Sequence, residues 1–248
     1  MRDLPRFFLP PAQFLGETLV LLDEDANHAA RVLRMKEGEA LYALDGRGML
    51  YHAEVSAIDK RTVTCRVTGK ESAGGELGVP VTLVQGLPKG DKFEWIVQKA
   101  TELGVSRIVP VVTERSVVRL EGDRALDKVR RWQAIAKEAA EQCERALVPT
   151  VEIPVPFRSW LAGAQDGPVT RLACLEREGR LPLARAMALH GAHPAIELVV
   201  GPEGGLAPAE GEALVASGAI AVTLGPRILR TETASLAALA IVGSALEA

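Results

Sequence analysis

IELVVGPEGG (residues 196–205) and IAVTLGPRILRTETA (residues 220–234) share one plan: a short apolar run of β type that stops abruptly at Gly-Pro. Ile196, Leu198, Val199 and Val200 form one buried-strand signature, and Ile220, Val222 and Leu224 repeat it, so two strands end in two rigid turns. Glycine at 201, 204, 205 and 225 lets the backbone approach a ligand closely, while Pro202 and Pro226 fix φ. On this reading a side chain added at Gly201 or Gly225 would fill a pocket. Both loops lead into helical patterns. In an open α/β sheet, ligands bind outside the carboxyl ends of the strands, so these loops are the natural place for a small molecule. A lone Gly-Pro after a strand is common punctuation. The second loop, however, packs Arg227, Arg230, Thr231, Glu232 and Thr233 between Leu224 and an almost wholly apolar helix, where charge is costly unless paired or used.

Working back from this stretch, the same alternation of strand and helix extends to residue 79. Val81–Val84 reads as a strand, and Asp91–Leu103 as a helix with Phe93, Ile96, Val97, Ala100 and Leu103 on its apolar face and Gln98, Lys99, Thr101 and Glu102 off it. Gly104 ends that helix, and Arg107–Val112 is the next strand. Arg124–Arg145 is a long amphipathic helix with Leu126, Val129, Trp132, Ala136, Ala139 and Cys143 at spacings of three or four. A strand at Arg171–Leu175 and a weak helix at Leu183–Leu189 come next. Trp95, Trp132 and Trp160 read as packing aromatics. Residues 79–248 are therefore expected to form an α/β domain with a mostly parallel sheet.

The first seventy residues have a different grammar. Leu19–Leu22, Ala40–Leu44, Leu50–Val55 and Thr62–Val67 are β-like, and Asp45-Gly46-Arg47-Gly48 is a hairpin turn. One helix, Asp25–Met35, is expected to be capped by Asp25 and to turn Ala29, Val32 and Leu33 inward and Arg31 and Arg34 outward. This pattern suits a small β-barrel over residues 1–70. The tract ESAGGELG (71–78) carries three glycines and no periodicity, as a domain boundary would.

Composition narrows the function classes. A 248-residue chain with 48% hydrophobic residues can bury a sizeable core. Its most apolar run, Ala234–Leu246, is too short to span a bilayer, and charges and prolines interrupt the N-terminus before any signal-like core forms, so a cytoplasmic location is expected. Cys65, Cys143 and Cys174 are widely separated, and His28, His52, His190 and His193 form no HExxH pair, which points to no metal site. The formal charge of −3 argues against a broadly basic nucleic-acid binder. Its distribution softens that objection: residues 196–248 hold two Lys/Arg against six Asp/Glu, whereas 85–131 hold ten against seven. Any RNA binding would rest on local basic patches.

GPEGG followed by LGPRILRTETA resembles the C-terminal signature of the RsmE family of small-subunit ribosomal RNA methyltransferases. PRFF at 5–8, VLRM at 32–35, QKATELGV at 98–105, ERSVV at 114–118 and EAAEQCER at 138–145 match as well, so the resemblance covers nearly the whole chain. It implies a SPOUT-type α/β domain with a trefoil knot, preceded by a PUA-like RNA-binding β-barrel. It further implies transfer of a methyl group from S-adenosylmethionine to N3 of uridine 1498 in the 16S ribosomal RNA of the 30S subunit, by a homodimer. The resemblance places Leu175, Glu176, Gly201, Pro202, Glu203, Gly204, Gly205, Leu224, Gly225, Pro226, Ile228, Leu229, Arg230 and Thr231 at the cofactor. It makes Arg2, Arg6, Arg31, Arg34 and Lys36 candidate RNA contacts, although a merely solvated surface would also carry such residues. One departure stands out: where the family commonly has Ser or Thr to cap the helix after GPEGG, this chain has Ala207, a loss worth about 1 kcal/mol.

The sulfonium methyl is already activated, so the protein must position uracil N3 and help remove its proton. Glu203 and Glu232 are the carboxylates available as base, and Arg230 can stabilise negative charge on the uracil oxygens. Equally, Arg230 and Glu232 can simply pair to hold the loop. Two other functions fit parts of the pattern. A non-catalytic RNA-binding ribosome assembly factor would share the two-domain layout. A phosphate-binding enzyme would use GPEGG as an anion cradle, against which Glu203 stands in that loop. The last helix, from Ala234, leaves almost no polar face, and a second chain is the expected cover.

Overall fold

The computed structural model describes residues 4–118, 122–163, 168–175, 181–190 and 194–247. The chain divides into two compact units. One comprises residues up to Glu76 together with Ala140–Val148; the other comprises Leu77–Ala139 and Pro149 onward.

In the first unit, β1 (Arg6–Phe8), β2 (Phe14–Leu15), β3 (Thr18–Leu22), β4 (Ala40–Leu44), β5 (Met49–Ile58) and β6 (Thr62–Ser72) form a mixed sheet in the order β1-β4-β5-β6-β3-β2. Residues two apart on successive strands, Leu19 and Leu21, Leu41 and Ala43, Ala53 and Val55, Val63 and Cys65, enter one buried cluster with Phe7 of β1. Strands from both ends of the order thus wrap a single core, as the period-two pattern requires. Asp45 sets the β4–β5 turn by accepting from Arg47 N (2.8 Å) and Met49 N (3.1 Å).

The helix between β3 and β4 departs from expectation. It begins at α1 (Asp23–Asn27), with Leu22 at the N-cap and no side-chain cap, and continues as a π-helical turn over His28–Val32. Asp25 lies inside the first turn. Bonds such as Leu33 N to His28 O (2.9 Å) add one residue to the turn and rotate the next side chains by about 100°. Ala26 and Ala29 stay buried, but Val32 is 62% and Leu33 41% exposed, opposite to the α-helical reading. The 71–78 tract is also less featureless than its glycines suggest. β6 runs to Ser72, and Glu76 binds the buried Arg145 guanidinium and accepts from Ala146 N and Leu147 N, both at 3.0 Å.

In the second unit the chain runs β7 (Val81–Gly86), α2 (Lys92–Glu102), β8 (Arg107–Val112), α3 (Gly122–Gln142, its residues from Ala140 on counted with the first unit), β9 (Thr150–Val151), β10 (Val155–Pro156), α4 (Phe157–Gly163), β11 (Thr170–Cys174), β12 (Leu181–Pro182), α5 (Leu183–His190), β13 (Ile196–Val200), α6 (Pro208–Ala216), β14 (Ile220–Thr223) and α7 (Thr231–Leu246). Every strand pair in this sheet is parallel, in the order β10-β8-β7-β13-β11-β14-β12, with β9 on β8. Val84, Val109, Val111, Ala173 and Val199 pack with Phe157 and Trp160 of α4 and Leu214 of α6. The alternate residues Leu83, Ile108, Leu172 and Leu198 are fully buried too. Both faces are therefore covered, which is why these strands read as apolar runs without alternation.

Three side chains in this unit lie elsewhere than their helical pattern indicates. Thr101 is fully buried, its hydroxyl satisfied by Val97 O (2.8 Å). Trp95 is 44% exposed, unlike Trp132 and Trp160. Leu126 is 42% exposed because Ala125 takes the inward position at the start of α3.

Candidate functional site

The carboxyl ends of the central strands lie level. Gln85 of β7 pairs with Val200 of β13, Val200 with Cys174 of β11, and Cys174 with Val222 of β14. Beyond that row, Leu175 after β11 and the loops after β13 and β14 line a cavity of about 440 Å3. This is ample for a small-molecule site. Its walls are apolar at Val200, Leu175, Leu206, Val222, Leu224, Ile228 and Leu229. Loop backbone at Gly201–Pro202, Gly204–Gly205 and Gly225–Pro226 and the cations Arg115 and Arg227 complete the lining, with Cys174, Thr223, Thr231, Pro208 and Ala234. Burial pushes the Cys174 thiol up to about 12, which favours its protonated form.

A buried polar network sets these loops. Gln85, Thr231 and Ser235 are at most 4% exposed. Gln85 Nε2 donates to Gly86 O (2.9 Å) and Thr231 Oγ1 (3.0 Å), with Gly201 O at 3.4 Å; Thr231 Oγ1 donates to Gly201 O (2.6 Å). Ser235 binds Gln85 Oε1 and lies 2.9 Å from Thr231 O. The first turn of α7 is thereby tied to the ends of β7 and β13. In a dry interior such a network is rigid only if every member is paired.

Close packing completes the arrangement. A Cβ on Gly86 would sit 2.5 Å from Pro202 Cδ and 2.6 Å from Pro202 N, so the GPEGG loop rests directly on the end of β7. A Cβ on Gly201 would meet Gly205 C and Leu206 N at 2.8 Å. This corrects the sequence reading: a side chain at 201 collides with the loop's own turn before it could fill the cavity. Gly225 has open space but φ +111°, so conformation rather than room demands glycine there. Arg115, in the ERSVV segment, donates to Gly204 O (2.8 Å), and Glu114 N donates to Glu210 Oε1 (2.9 Å). Glu210 Oε2 accepts from Ala207 N (2.9 Å), so the missing Ser or Thr cap is offset by the reciprocal half of a capping box.

Beside the cavity lies a charged cluster. Lys92 Nζ is 2.8 Å from Glu203 Oε1 and 3.7 Å from Glu232 Oε2. Both Glu203 oxygens also accept from Lys89 N, at 3.2 and 3.3 Å. Burial pushes the Glu203 carboxyl up, but the hydrogen bond from Lys92, the backbone N–H groups and the Lys92 charge outweigh it and hold it below the usual range. The hydrogen bond to Glu203 holds Lys92 above its usual value against partial desolvation, helped by the charges of Glu203 and Glu232 and opposed by Arg230. Arg230 is exposed, with its backbone at the N-cap of α7. Among the described residues it makes no ion pair with Glu232; Lys92 takes that place.

Of the residues expected at the cofactor, Leu175, Gly201, Pro202, Gly204, Gly205, Leu224, Gly225, Pro226, Ile228, Leu229 and Thr231 line the cavity. Glu203 and Arg230 lie outside its lining, and Glu176 falls outside the described residues. The sequence reading did not single out Gln85, Gly86, Lys92, Arg115 or Ser235 as parts of the site. Gly86 had a legible signal, a glycine closing an apolar strand, whereas Lys92 reads as a solvated helix residue.

In the first unit, Arg31, Arg34 and Lys36 are exposed around the outward-turned Val32 and Leu33. Arg6 is committed internally: it donates to Glu144 Oε2 (2.7 Å) and lies over the Tyr42 ring, 5.0 Å from its centroid. Arg2 lies outside the described residues.

Comparison with known proteins agrees in both units. The profile of the family described as RNA methyltransferase domain matches residues 75–243, and that of the RNA methyltransferase PUA domain matches residues 21–68. Ribosomal RNA small subunit methyltransferase E of Bacillus subtilis is 39% identical over 228 residues, 91% of this chain and 89% of that protein. Its counterpart in Mycobacterium tuberculosis is 35% identical over 244 residues, 96% of this chain and 90% of that protein. Among solved structures, the ribosomal RNA small subunit methyltransferase E from Neisseria gonorrhoeae, bound to S-adenosyl methionine, superposes with a TM-score of 0.86 at 34% identity over 98% of each chain. A putative methyltransferase from Legionella pneumophila, in complex with the same cofactor, gives 0.87 at 30% identity, again over 98% of each.

Proposed function

Because the chain belongs to the ribosomal RNA small subunit methyltransferase E family, we propose that it transfers the methyl group of S-adenosylmethionine to N3 of a uridine in the 16S RNA of the small ribosomal subunit. The observation that carries this reading is the 440 Å3 cavity at the carboxyl ends of a parallel sheet, walled by the two loops that bear the family signature. The residues present fit the cofactor. Leu175, Val222, Leu224 and Ile228 offer apolar walls to a flat adenine, the loop backbone offers hydrogen bonds to its edge, and Arg115 and Arg227 offer cations to a carboxylate. When bound, S-adenosylmethionine supplies an activated methyl group on a sulfonium. The chain's own part is to exclude water, hold uracil N3 in line and accept its proton.

Glu203, Glu232 and Arg230, beside the cavity, are the groups for proton removal and charge stabilisation, and Lys92 and the Lys89 N–H hold the Glu203 carboxyl below the usual range. A non-catalytic assembly factor would have no use for a formed cofactor cavity, so the catalytic reading is favoured. The exposed Arg31, Arg34 and Lys36 of the PUA-type unit are the proposed RNA contacts, with phosphate neutralisation as their role. The trefoil threading and a homodimer built on α7 complete the reading, and action on ribosomal RNA places the work in the cytoplasm. Among the described residues no helix is long and apolar enough to cross a membrane, and no group of His, Cys, Asp and Glu could hold a metal ion. The test is transfer of label from methyl-labelled S-adenosylmethionine to small-subunit RNA, naked and in particles. Cofactor binding without transfer to either would favour the assembly-factor reading.

A further inference from the structure

The two carboxylates beside the cavity are not equivalent. Glu203 is tied down: Oε1 holds Lys92 at 2.8 Å, and both oxygens accept from Lys89 N in the loop between β7 and α2. Its carboxylate thus joins the GPEGG loop to the start of α2, where the helix dipole also favours a negative charge. Glu232 is 16% exposed, and its Oε2 is buried without a hydrogen-bond partner among the described residues, with only the Lys92 ammonium at 3.7 Å to balance it. A buried acceptor left without a hydrogen bond is costly, and in a native site it asks for a purpose. The neighbours of both residues, Pro202, Gly204 and Thr231, line the cavity. Glu232 itself is not part of that lining, so its unpartnered oxygen lies one residue behind the cavity wall that Thr231 forms.

We propose that Lys92 is a positioning residue that divides the work between these carboxylates: it locks Glu203 as a clamp on the cofactor loop and balances Glu232 while leaving one oxygen open to take the proton of uracil N3. The assignment rests on the methyl-transfer reading above. In that step the N3–H bond breaks and its proton passes to Glu232, the N3 electron pair forms the bond to the methyl carbon, and the pair of the broken S–CH3 bond stays on the thioether product. Charge balances, since one carboxylate and one sulfonium are neutralised together. Lys92 itself gives up no proton. Its ammonium serves both carboxylates because α2 begins between the two loops.

The experiment compares Lys92→Met, Lys92→Arg, Glu203→Gln and Glu232→Gln by single-turnover methyl transfer at saturating cofactor and by calorimetric affinity for S-adenosylhomocysteine. Glu232→Gln is expected to lose about a hundredfold or more in rate with product affinity within about threefold of wild type. Glu203→Gln is expected to weaken product binding about tenfold, with a rate loss at least about tenfold smaller than that of Glu232→Gln. Lys92→Met should show both defects, and Lys92→Arg, which keeps the charge, should recover most of each. A Lys92→Met rate at saturation within about threefold of wild type, or equal rate losses for the two Glu→Gln variants, overturns the proposal. If wild type itself transfers no methyl group, it is the methyl-transfer reading that fails.

Discussion

Replacing Thr231 by Val keeps the shape of a 4%-exposed side chain and removes only its hydroxyl. That hydroxyl donates to Gly201 O at 2.6 Å and accepts from Gln85 Nε2 at 3.0 Å. Without it, Gly201 O keeps only the 3.4 Å approach of Gln85 Nε2, while that amide retains Gly86 O. Two net hydrogen bonds of about 1 kcal/mol each, and a buried carbonyl left nearly unpaired, sum to about 3 kcal/mol. For a chain of this size that lowers Tm by about 6–12 °C. Thr233, two residues on and exposed, is the control: Thr233→Val should stay within about 0.5 kcal/mol of wild type. Denaturant unfolding of both variants, with calorimetric S-adenosylhomocysteine affinity beside it, reads the difference. Because the Gly201 carbonyl anchors the first loop, affinity should fall with stability in Thr231→Val alone. If Thr231→Val matches Thr233→Val in both, the network does not hold the loops and the reasoning fails.

The same geometry sets three other outcomes. Gly86→Ala would place a methyl 2.5 Å from Pro202 Cδ, so the GPEGG loop must move and product affinity should drop about tenfold in a protein of unchanged circular dichroism; unchanged affinity would contradict the packing. Glu203 has a folded-state pKa below its ordinary 4.5, so its contribution to stability is complete above that value and fades as pH falls through the depressed one. The Tm gap between wild type and Glu203→Gln should thus be flat at neutral pH and close only in acid, and a gap already gone at about pH 6 would refute the clamp. In α7, Leu239 is buried within its own chain, whereas Leu236, Ile241 and Leu246 stay partly open. Light scattering should therefore give a mass near twice 26.5 kDa, reduced by Ile241→Glu, and a wild-type monomer would remove the dimer.

The parts of the fold that sequence made legible are those where a single physical demand acts. The strands of the parallel sheet are buried on both faces, so Val81–Val84, Arg107–Val112 and Ile196–Val200 could be read from their apolar runs alone. β7 nevertheless runs on to Gly86, because Gln85 is buried by the polar network and an apolar pattern has no way to signal it. The π-turn at His28–Val32 was equally hidden, since one extra residue per turn changes which side chains face in without changing their identity. In the site, the two glycine loops announced themselves, as turns do. Lys92 and Arg115 did not, because a single cation on a helix or loop becomes informative only once its partner, a hundred or so positions away, is placed beside it. The roles within RTETA were divided differently from expectation as well: Thr231 holds backbone, and Glu232 meets Lys92 instead of Arg230.

The central claim, methyl transfer to N3 of a uridine, is tested most directly by incubating the protein with methyl-labelled S-adenosylmethionine and small ribosomal subunits from cells lacking the enzyme, then digesting the RNA to nucleosides and separating them. The account expects the label in N3-methyluridine, lost with Glu232→Gln and retained with Thr233→Val. Label in any other nucleoside, or none in RNA from a protein that binds the cofactor, would contradict it.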